Sequence, residues 1–354
     1  MKLPRNAQLW LPGLLAARRR AATHRFDPAQ PVTVWLMFAD HYEPYWARPT
    51  DAMARERVAA WSAAWPRIAD TQRDDFGRPA RWTFFYPEEE YRPELLEPLA
   101  AFAHAGIGDV EIHIHHDGEG EQDFVGRMTR FIHRLSHDHG LLHEHDGRAV
   151  FGFIHGNWAL DNSRPDGRWC GLNNELTLLR QLGCYADFTM PAAPDPCQTT
   201  LVNAIYWAVD DPAAPKSHDH GTLVTPGAMP PEHALLCVQG PLTVRAHPRW
   251  RIVPSLEVGE LAGYAPPAPA RAAAWLAAAP RVGNNVFVKL FTHGAAEKNA
   301  RPLLGGAIER TVEHLRAATH RRGWRLAFAT GHEMWQAIEA ARRGQNAAGA
   351  VAAR

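Results

Sequence analysis

The chain has 354 residues, 46% of them hydrophobic and 21% charged, with 38 Lys+Arg balanced by 38 Asp+Glu. That composition suits a globular chain with a large core, and zero net charge leaves no overall field to gather nucleic acid or an anionic membrane surface. The four cysteines, Cys170, Cys184, Cys197 and Cys237, form no Cys-x-x-Cys pair. This argues against a zinc ribbon or a thioredoxin-type motif and fits a reducing compartment.

In chain order, the N-terminal run MKLPRNAQLWLPGLLAARRR is broken by Pro12 and Gly13, and its arginines follow the apolar part. It does not read as a signal peptide, no run is long enough to span a bilayer, and the expected location is the cytoplasm. Residues 1–30 read as an N-terminal extension. PVTVWLMFAD (31–40) is an apolar run that ends in an acid and reads as a buried strand. A helix follows over 51–69, capped by Thr50 or Asp51, with Trp61, Trp65 and Ile68 at helical spacing. RWTFFYP (81–87) and DVEIHIH (109–115) are the second and third strands, and Phe124, Met128, Phe131 and Leu135 mark a helical face after them.

The alternation continues with strands at 149–158, 184–191, 233–242 and 285–294, and a short helix over 173–183 stopped by Gly183. The spacing predicts one long helix over about 302–322, then RLAFATG (325–331), then a last helix through Met334, Trp335 and Ile338. The Ala/Pro-rich residues 262–280 are a linker or a helix with a proline-rich lead-in, and 343–354 read as a flexible tail. Strands alternating with amphipathic helices imply an α/β fold with a parallel sheet, and seven or eight such units suggest a closed or nearly closed (β/α) barrel. No clean boundary divides residues 31–342, which are expected to form a single domain.

Polar residues fall at the strand ends. Asp40 ends the first strand, His113 and His115 the third, His155 the fourth and His293 the seventh, while Asp187 lies in the fifth. In parallel α/β barrels those ends form one rim, where chemistry is placed. Side chains alternate along a strand, so His113 and His115 share a face and His116 takes the other. Two imidazoles plus the Asp40 carboxylate make a three-ligand set with an open position, which suits a divalent metal ion, Zn²⁺ first among them.

These residues resemble the NodB-homology polysaccharide deacetylases, carbohydrate esterase family 4, and within them the WalW-like subgroup tied to bacterial lipopolysaccharide and exopolysaccharide synthesis. MFAD (37–40) resembles the family's Thr-Phe-Asp-Asp motif, WTFFY (82–86) its second strand, and EIHIH (111–115) the stretch that brings in its first metal histidine, here His115. KLFTHG (289–294) is similar to the late motif whose histidine is the general acid, here His293, and HGNWALDN (155–162) and YADFTMP (185–191) match the wider subgroup pattern. The resemblance runs from about residue 30 to 340. It implies an irregular barrel of the deacetylase type and metal-dependent hydrolysis of an N- or O-acetyl group on a carbohydrate or glycolipid precursor.

Two positions depart from the family. Its first motif has two acids, but here Ala39 stands at the base position and only Asp40 remains, so Glu43, His41 or Asp117 would have to serve. The second metal histidine falls on Glu119, which leaves Glu119 or His113 as third ligand, with His113 preferred by the same-face argument. The metal would activate water and polarise the acetyl carbonyl, and His293 would protonate the departing amine. Asp187 would orient an imidazole, Trp158 would stack on a sugar, and His155 and Asn157 would complete the substrate contacts. Two rivals remain: another metal-dependent barrel hydrolase such as a phosphoesterase or amidohydrolase, and a carbohydrate-binding relic that Ala39 has left inactive. The His-rich stretches 136–147 and 216–221 read as polar loops, and NNEL (173–176) reads first as a helix start and second as a ligand-binding group.

Overall fold

The computed structural model describes residues 3–246 and 254–352, so residues 1–2 and 353–354, at the outer ends of the expected extension and tail, lie outside it. The helices are α1 (Ala7–Thr23), α2 (Asp51–Thr71), α3 (Pro93–His104), α4 (Glu121–His133), α5 (Glu175–Leu182), α6 (Pro269–Ala278), α7 (Glu297–Pro302), α8 (Ile308–His320), α9 (Gly331–Arg342) and α10 (Ala347–Ala352). The strands are β1 (Thr33–His41), β2 (Trp82–Pro87), β3 (Gly108–Ile114), β4 (His143–His145), β5 (Arg148–His155), β6 (Cys184–Asp187) and β7 (Ile205–Val209). They continue with β8 (Thr222–Leu223), β9 (Ala234–Val238), β10 (Thr243–Ala246), β11 (Pro254–Glu257), β12 (Arg281–Val282), β13 (Asn285–Thr292) and β14 (Arg325–Phe328).

One large sheet runs in the order β12-β13-β1-β2-β3-β5-β6-β9-β7-β8, with β14 on β1 and β4 on β5. β13, β1, β2, β3, β5, β6 and β9 are parallel, whereas β7 and β8 are antiparallel additions. The mixed α/β architecture and mostly parallel sheet agree with the alternating pattern. β1 is the axis: all nine of its residues are buried, and it pairs with β13 from Thr33↔Asn285 to Asp40↔Thr292. Its alternation separates two cores. Val34, Leu36 and Phe38 join the α2 tryptophans Trp61 and Trp65 on one face. Trp35, Met37 and Ala39 join Phe287, Met334 and Ile338 on the other. Burial on both faces explains why this strand is an unbroken apolar run. No helix among the described residues is long and apolar enough to cross a membrane.

Several expectations are corrected. The long helix over 302–322 is interrupted between α7 and α8, because Gly306 takes φ 107°, a left-handed conformation that glycine adopts without a Cβ clash. The tail is not frayed over 347–352: α10 buries Ala347 and Val351 against the α9 side of the core. The N-terminal extension holds α1, which buries Trp10, Leu14 and Ala17, the first two against Ala193, Val202 and Leu242. Of the two readings of residues 262–280, the helix with a proline-rich lead-in is the one observed, as α6, while the stretch 136–147 contributes β4 and is not all loop.

β4 carries an ion pair with a testable pH signature. His143 Nε2 lies 3.2 Å from Asp109 Oδ2, and its ring stacks on His332 at 3.7 Å. Burial lowers the His143 pKa, but the bond to Asp109 outweighs it and carries the value to about 9. Asp109 is correspondingly held below the usual carboxylate range, the bond outweighing its burial. A histidine raised in the fold stabilises fully below its unfolded pKa of about 6.5 and loses that stabilisation as pH rises through about 9. The aspartate's share is present above its unfolded value and is lost in acid. With 42% of the His143 side chain exposed, solvent screening reduces the pair to ~1 kcal/mol. Wild type and His143→Ala should therefore differ by that amount in urea unfolding at pH 6, and the difference should fade above pH 9.

Candidate metal centre at the strand ends

The ends of β1, β2, β3 and β13 gather a cluster of imidazoles and carboxylates around Glu43. His41 closes β1 on the Ala39 face, and Glu43 follows in a turn. Arg57 of α2 holds that turn by donating to the carbonyls of Pro44 (2.7 Å) and Trp46 (2.9 Å) while its other nitrogens pair with Glu297. Glu90 supports it from the β2 side by accepting the Tyr45 N–H at 2.7 Å. His113 and His115 leave β3 on one face with ring centroids 4.6 Å apart, and His113 lies 5.1 Å from His41. His293, just past β13, sits 4.8 Å from His41.

Glu43 is the pivot. Its Oε1 is 3.5 Å from His113 Nε2 and 4.0 Å from His293 Nε2. Two three-ligand sets share it: Glu43 with His113 and His115, and Glu43 with His41 and His293. The proton positions suit a cation. His113 Nδ1 donates to the Ile154 carbonyl at 2.8 Å, so its buried Nε2, which has no hydrogen-bond partner, carries the lone pair. His115 Nδ1 bonds Glu89 Oε1 at 2.5 Å, leaving Nε2 to ligate. A histidine oriented through its second nitrogen by a carbonyl or carboxylate is the usual outer shell of a bound metal. The donor set of imidazole nitrogen and carboxylate oxygen suits Zn²⁺ and its neighbours.

The electrostatics agree. Burial alone would push the Glu43 pKa up, yet the imidazoles around it, His113 foremost, bring it below the ordinary value, so Glu43 stays anionic. Burial, reinforced by the charges of His293 and His113, pulls His41 well below the usual imidazole pKa, and burial also lowers His293. His115 moves the other way: burial opposes its charge, but Glu89 and Glu43 overcome that. The cluster opens into a cavity of about 360 Å³ whose walls include Trp46, Trp158, Asn157, Tyr264 and Lys298. Asn157 and Trp158 both have positive φ, 54° and 57°, which is backbone strain concentrated at the cleft wall.

Asp40 is not part of this cluster. It points to the opposite face of β1, where Oδ1 accepts the Gly294 N–H at 2.6 Å and Oδ2 accepts the Trp82 indole N–H at 2.9 Å. Burial raises its pKa to about 7 in spite of those two bonds. Strand alternation is the cause, because Ala39 and His41 take the cleft face and Asp40 must take the other. Asp117 is also elsewhere, accepting the Trp169 N–H at 2.7 Å on the exposed side. Glu119 pairs with Arg127 at 3.0 Å and faces His116 Nδ1 at 3.7 Å, so it is not the partner of His115.

His155 is fully buried, bonded to His116 and not to the cleft. Asp187 does not orient an imidazole: it accepts from Thr189 N and Oγ1, and the Thr189 hydroxyl in turn accepts the backbone N–H of His155. Sequence reasoning missed Glu89, hidden in the Glu88–Glu90 run, and ranked ligand binding by NNEL, which holds Glu175, behind its reading as a helix start. Glu175 is fully buried and forms a second candidate metal-holding group with His116, His155 and Cys170. No protein-family model matches the chain, and no curated protein matches it.

Proposed function

We propose that the chain is a metal-dependent hydrolase of the polysaccharide deacetylase type, on an irregular (β/α) barrel, that removes an acetyl group from a sugar of a surface-polysaccharide or glycolipid precursor. The observation that carries this reading is Glu43, one carboxylate shared by two histidine sets at the floor of a cleft with aromatic walls. Glu43, His113 and His115 would hold the metal, most simply Zn²⁺. When bound, such an ion polarises a carbonyl and lowers the pKa of water.

The remaining groups do the protein's share of the work. His293 borders the cleft near Glu43 and can hand a proton from Nε2 to a departing amine, which leaves poorly as an anion. His41 lies between His113 and His293, and because burial disfavours its charged form it would pass a proton on to His293 and not hold it. Trp158, Trp46 and Tyr264 offer flat faces to a sugar ring, and Lys298 lies 4.1 Å over the Trp46 ring. Glu43 as the anionic ligand and His41 as the proton relay thus line the cleft that Ala39 leaves without its usual acid, which favours an active enzyme over a binding relic.

The test is acetate release from N- and O-acetylated sugars by zinc-loaded protein, with a phosphate monoester as control. Release should stop on chelation and return with metal, and His293→Gln should slow it by about 10²–10⁴-fold with bound metal unchanged. Metal-loaded protein that cleaves only the phosphate ester, or a His293→Gln variant as fast as wild type, would overturn the reading.

A further inference from the structure

Beside the cleft, and not opening into it, lies the second group. His116 follows β3, His155 ends β5, Cys170 sits in the long loop after β5, and Glu175 is in the first turn of α5. Cys170, His155 and Glu175 have no exposed surface and His116 is 6% exposed. His116 Nε2 is 2.9 Å from His155 Nε2 and 3.1 Å from Glu175 Oε1. His155 Nε2 is 3.4 Å from the same oxygen, and Cys170 Sγ is 3.5 Å from Glu175 Oε2. Bonds of 2.0–2.3 Å to a tetrahedral zinc ion give ligand-to-ligand edges of roughly 3.3–3.6 Å; the His–His and His–Glu edges here are near that length, and the four ligand atoms all lie within 4.8 Å of one another.

Proton bookkeeping sharpens the case. His155 Nδ1 donates to the Gly156 carbonyl, so its Nε2 carries a lone pair. His116 Nδ1 has no hydrogen-bond partner and faces the Glu119 carboxylate at 3.7 Å. If His116 kept its proton on Nε2, a bare Nδ1 would face that anion. If the proton sat on Nδ1, it would point at Glu119, but two Nε2 lone pairs would then meet at 2.9 Å. A cation between them removes the conflict. One Glu175 oxygen already accepts the Asp161 N–H. Burial and the Glu175 charge push the Cys170 thiol up, so without a cation it keeps its proton, within reach of Glu175 Oε2. The N–H groups of Asn162 (3.2 Å) and Leu172 (3.4 Å) aimed at Sγ would support the thiolate once a cation displaced that proton. Thiolate, carboxylate and two neutral imidazoles balance a divalent ion, so burying the set leaves no net charge.

We propose that His116, His155, Cys170 and Glu175 form a closed four-ligand site for a zinc-like divalent cation, separate from the cleft, that fixes the cleft wall. Four protein ligands leave no position for substrate, so its role is structural. It ties β3, β5 and α5 to the loop that carries Asn157 and Trp158. That wall is tight against the cleft, since a Cβ at Gly156 would clash with the His115 ring. Binding releases the Cys170 thiol proton to solvent, leaving a metal–thiolate bond with no redox change.

The sulfur gives a readout that the cleft lacks. Chelator-treated full-length protein is titrated with Co²⁺ and its near-ultraviolet absorption recorded. The expected result is a thiolate-to-cobalt charge-transfer band in wild type, unchanged in Glu43→Gln. In Cys170→Asp the band should vanish while bound cobalt is retained, the carboxylate replacing the thiolate. A folded wild type with no such band, or a band that survives Cys170→Asp, overturns the proposal. Because the wild-type band is decisive by itself, a misfolded variant does not shelter the idea. A failed acetate assay with the band present would strike the cleft reading alone.

Discussion

Glu43→Gln should abolish metal binding in the cleft and reduce acetate release by a thousandfold or more, on the order of the loss of one strong transition-state contact together with the metal, while the protein stays folded. The substitution keeps the volume and removes the charge. Four imidazoles, His41, His113, His115 and His293, surround or approach Glu43, and without its anion they have no shared counter-charge with which to hold a cation. The fold has little at stake in that side chain. The turn is held by Arg57 and Glu90 through the backbone of its neighbours, and the His115 charge that Glu43 helps to favour keeps Glu89 as its bonded partner, so neutralising the buried carboxylate strands no charge. The unfolding midpoint should stay within the range of about 1 kcal/mol typical of a near-neutral change. Elemental analysis, acetate release and thermal unfolding of the same preparation check all three parts. A variant that keeps its metal and its activity would refute the assignment.

Asp40→Ala should behave in the opposite way, with a large loss of stability and little loss of metal affinity in the folded fraction. Asp40 is fully buried and satisfies two buried donors, the Gly294 N–H and the Trp82 indole. Removing it leaves both unsatisfied, at about 1–3 kcal/mol each, so a total of roughly 3–5 kcal/mol is expected. The site also lacks space for rearrangement: a Cβ at Gly294 would fall on the Asp40 carboxylate and 2.8 Å from Trp61, and the Trp61 indole donates to the Gly294 carbonyl at 2.9 Å. Since Gly294 adjoins His293, activity should fall along with stability even where cobalt or zinc stays bound. Denaturant unfolding and metal titration of the variant separate these effects. Unchanged stability with lost metal would restore Asp40 as a ligand.

These two residues show how far the sequence can be read. The apolar runs that became β1, β2, β3 and β13 were legible because burial on both faces demands unbroken hydrophobicity. The pairing of His113 with His115, apart from His116, follows from the period of two in a strand. The same period assigns Asp40 to the helix-covered face and His41 to the cleft, but the motif-like MFAD drew attention to the acid and away from its direction. Helix α3 went unread because Pro93 and Pro98 punctuate its apolar face of Leu95, Leu96, Leu99 and Phe102. The break between α7 and α8 went unread because Leu304 and Ile308 keep helical spacing across Gly305 and Gly306. The group of His116, His155, Cys170 and Glu175 comes from four separate segments, and a lone cysteine with no Cys-x-x-Cys spacing offers no local signal. Only the topology, which sets β3 beside β5 and packs α5 against β6 on the far side of β5, brings them together.

The central claim is that Glu43, His113 and His115 hold a divalent metal at the base of the aromatic cleft. The most direct measurement is anomalous diffraction at the zinc absorption edge from crystals of the zinc-loaded protein. The account predicts an anomalous peak within bonding distance of Glu43 and both histidines, with Asp40 still bonded to Gly294 and Trp82 on the far side of β1. A map with no peak there, or a peak ligated by Asp40, would contradict it.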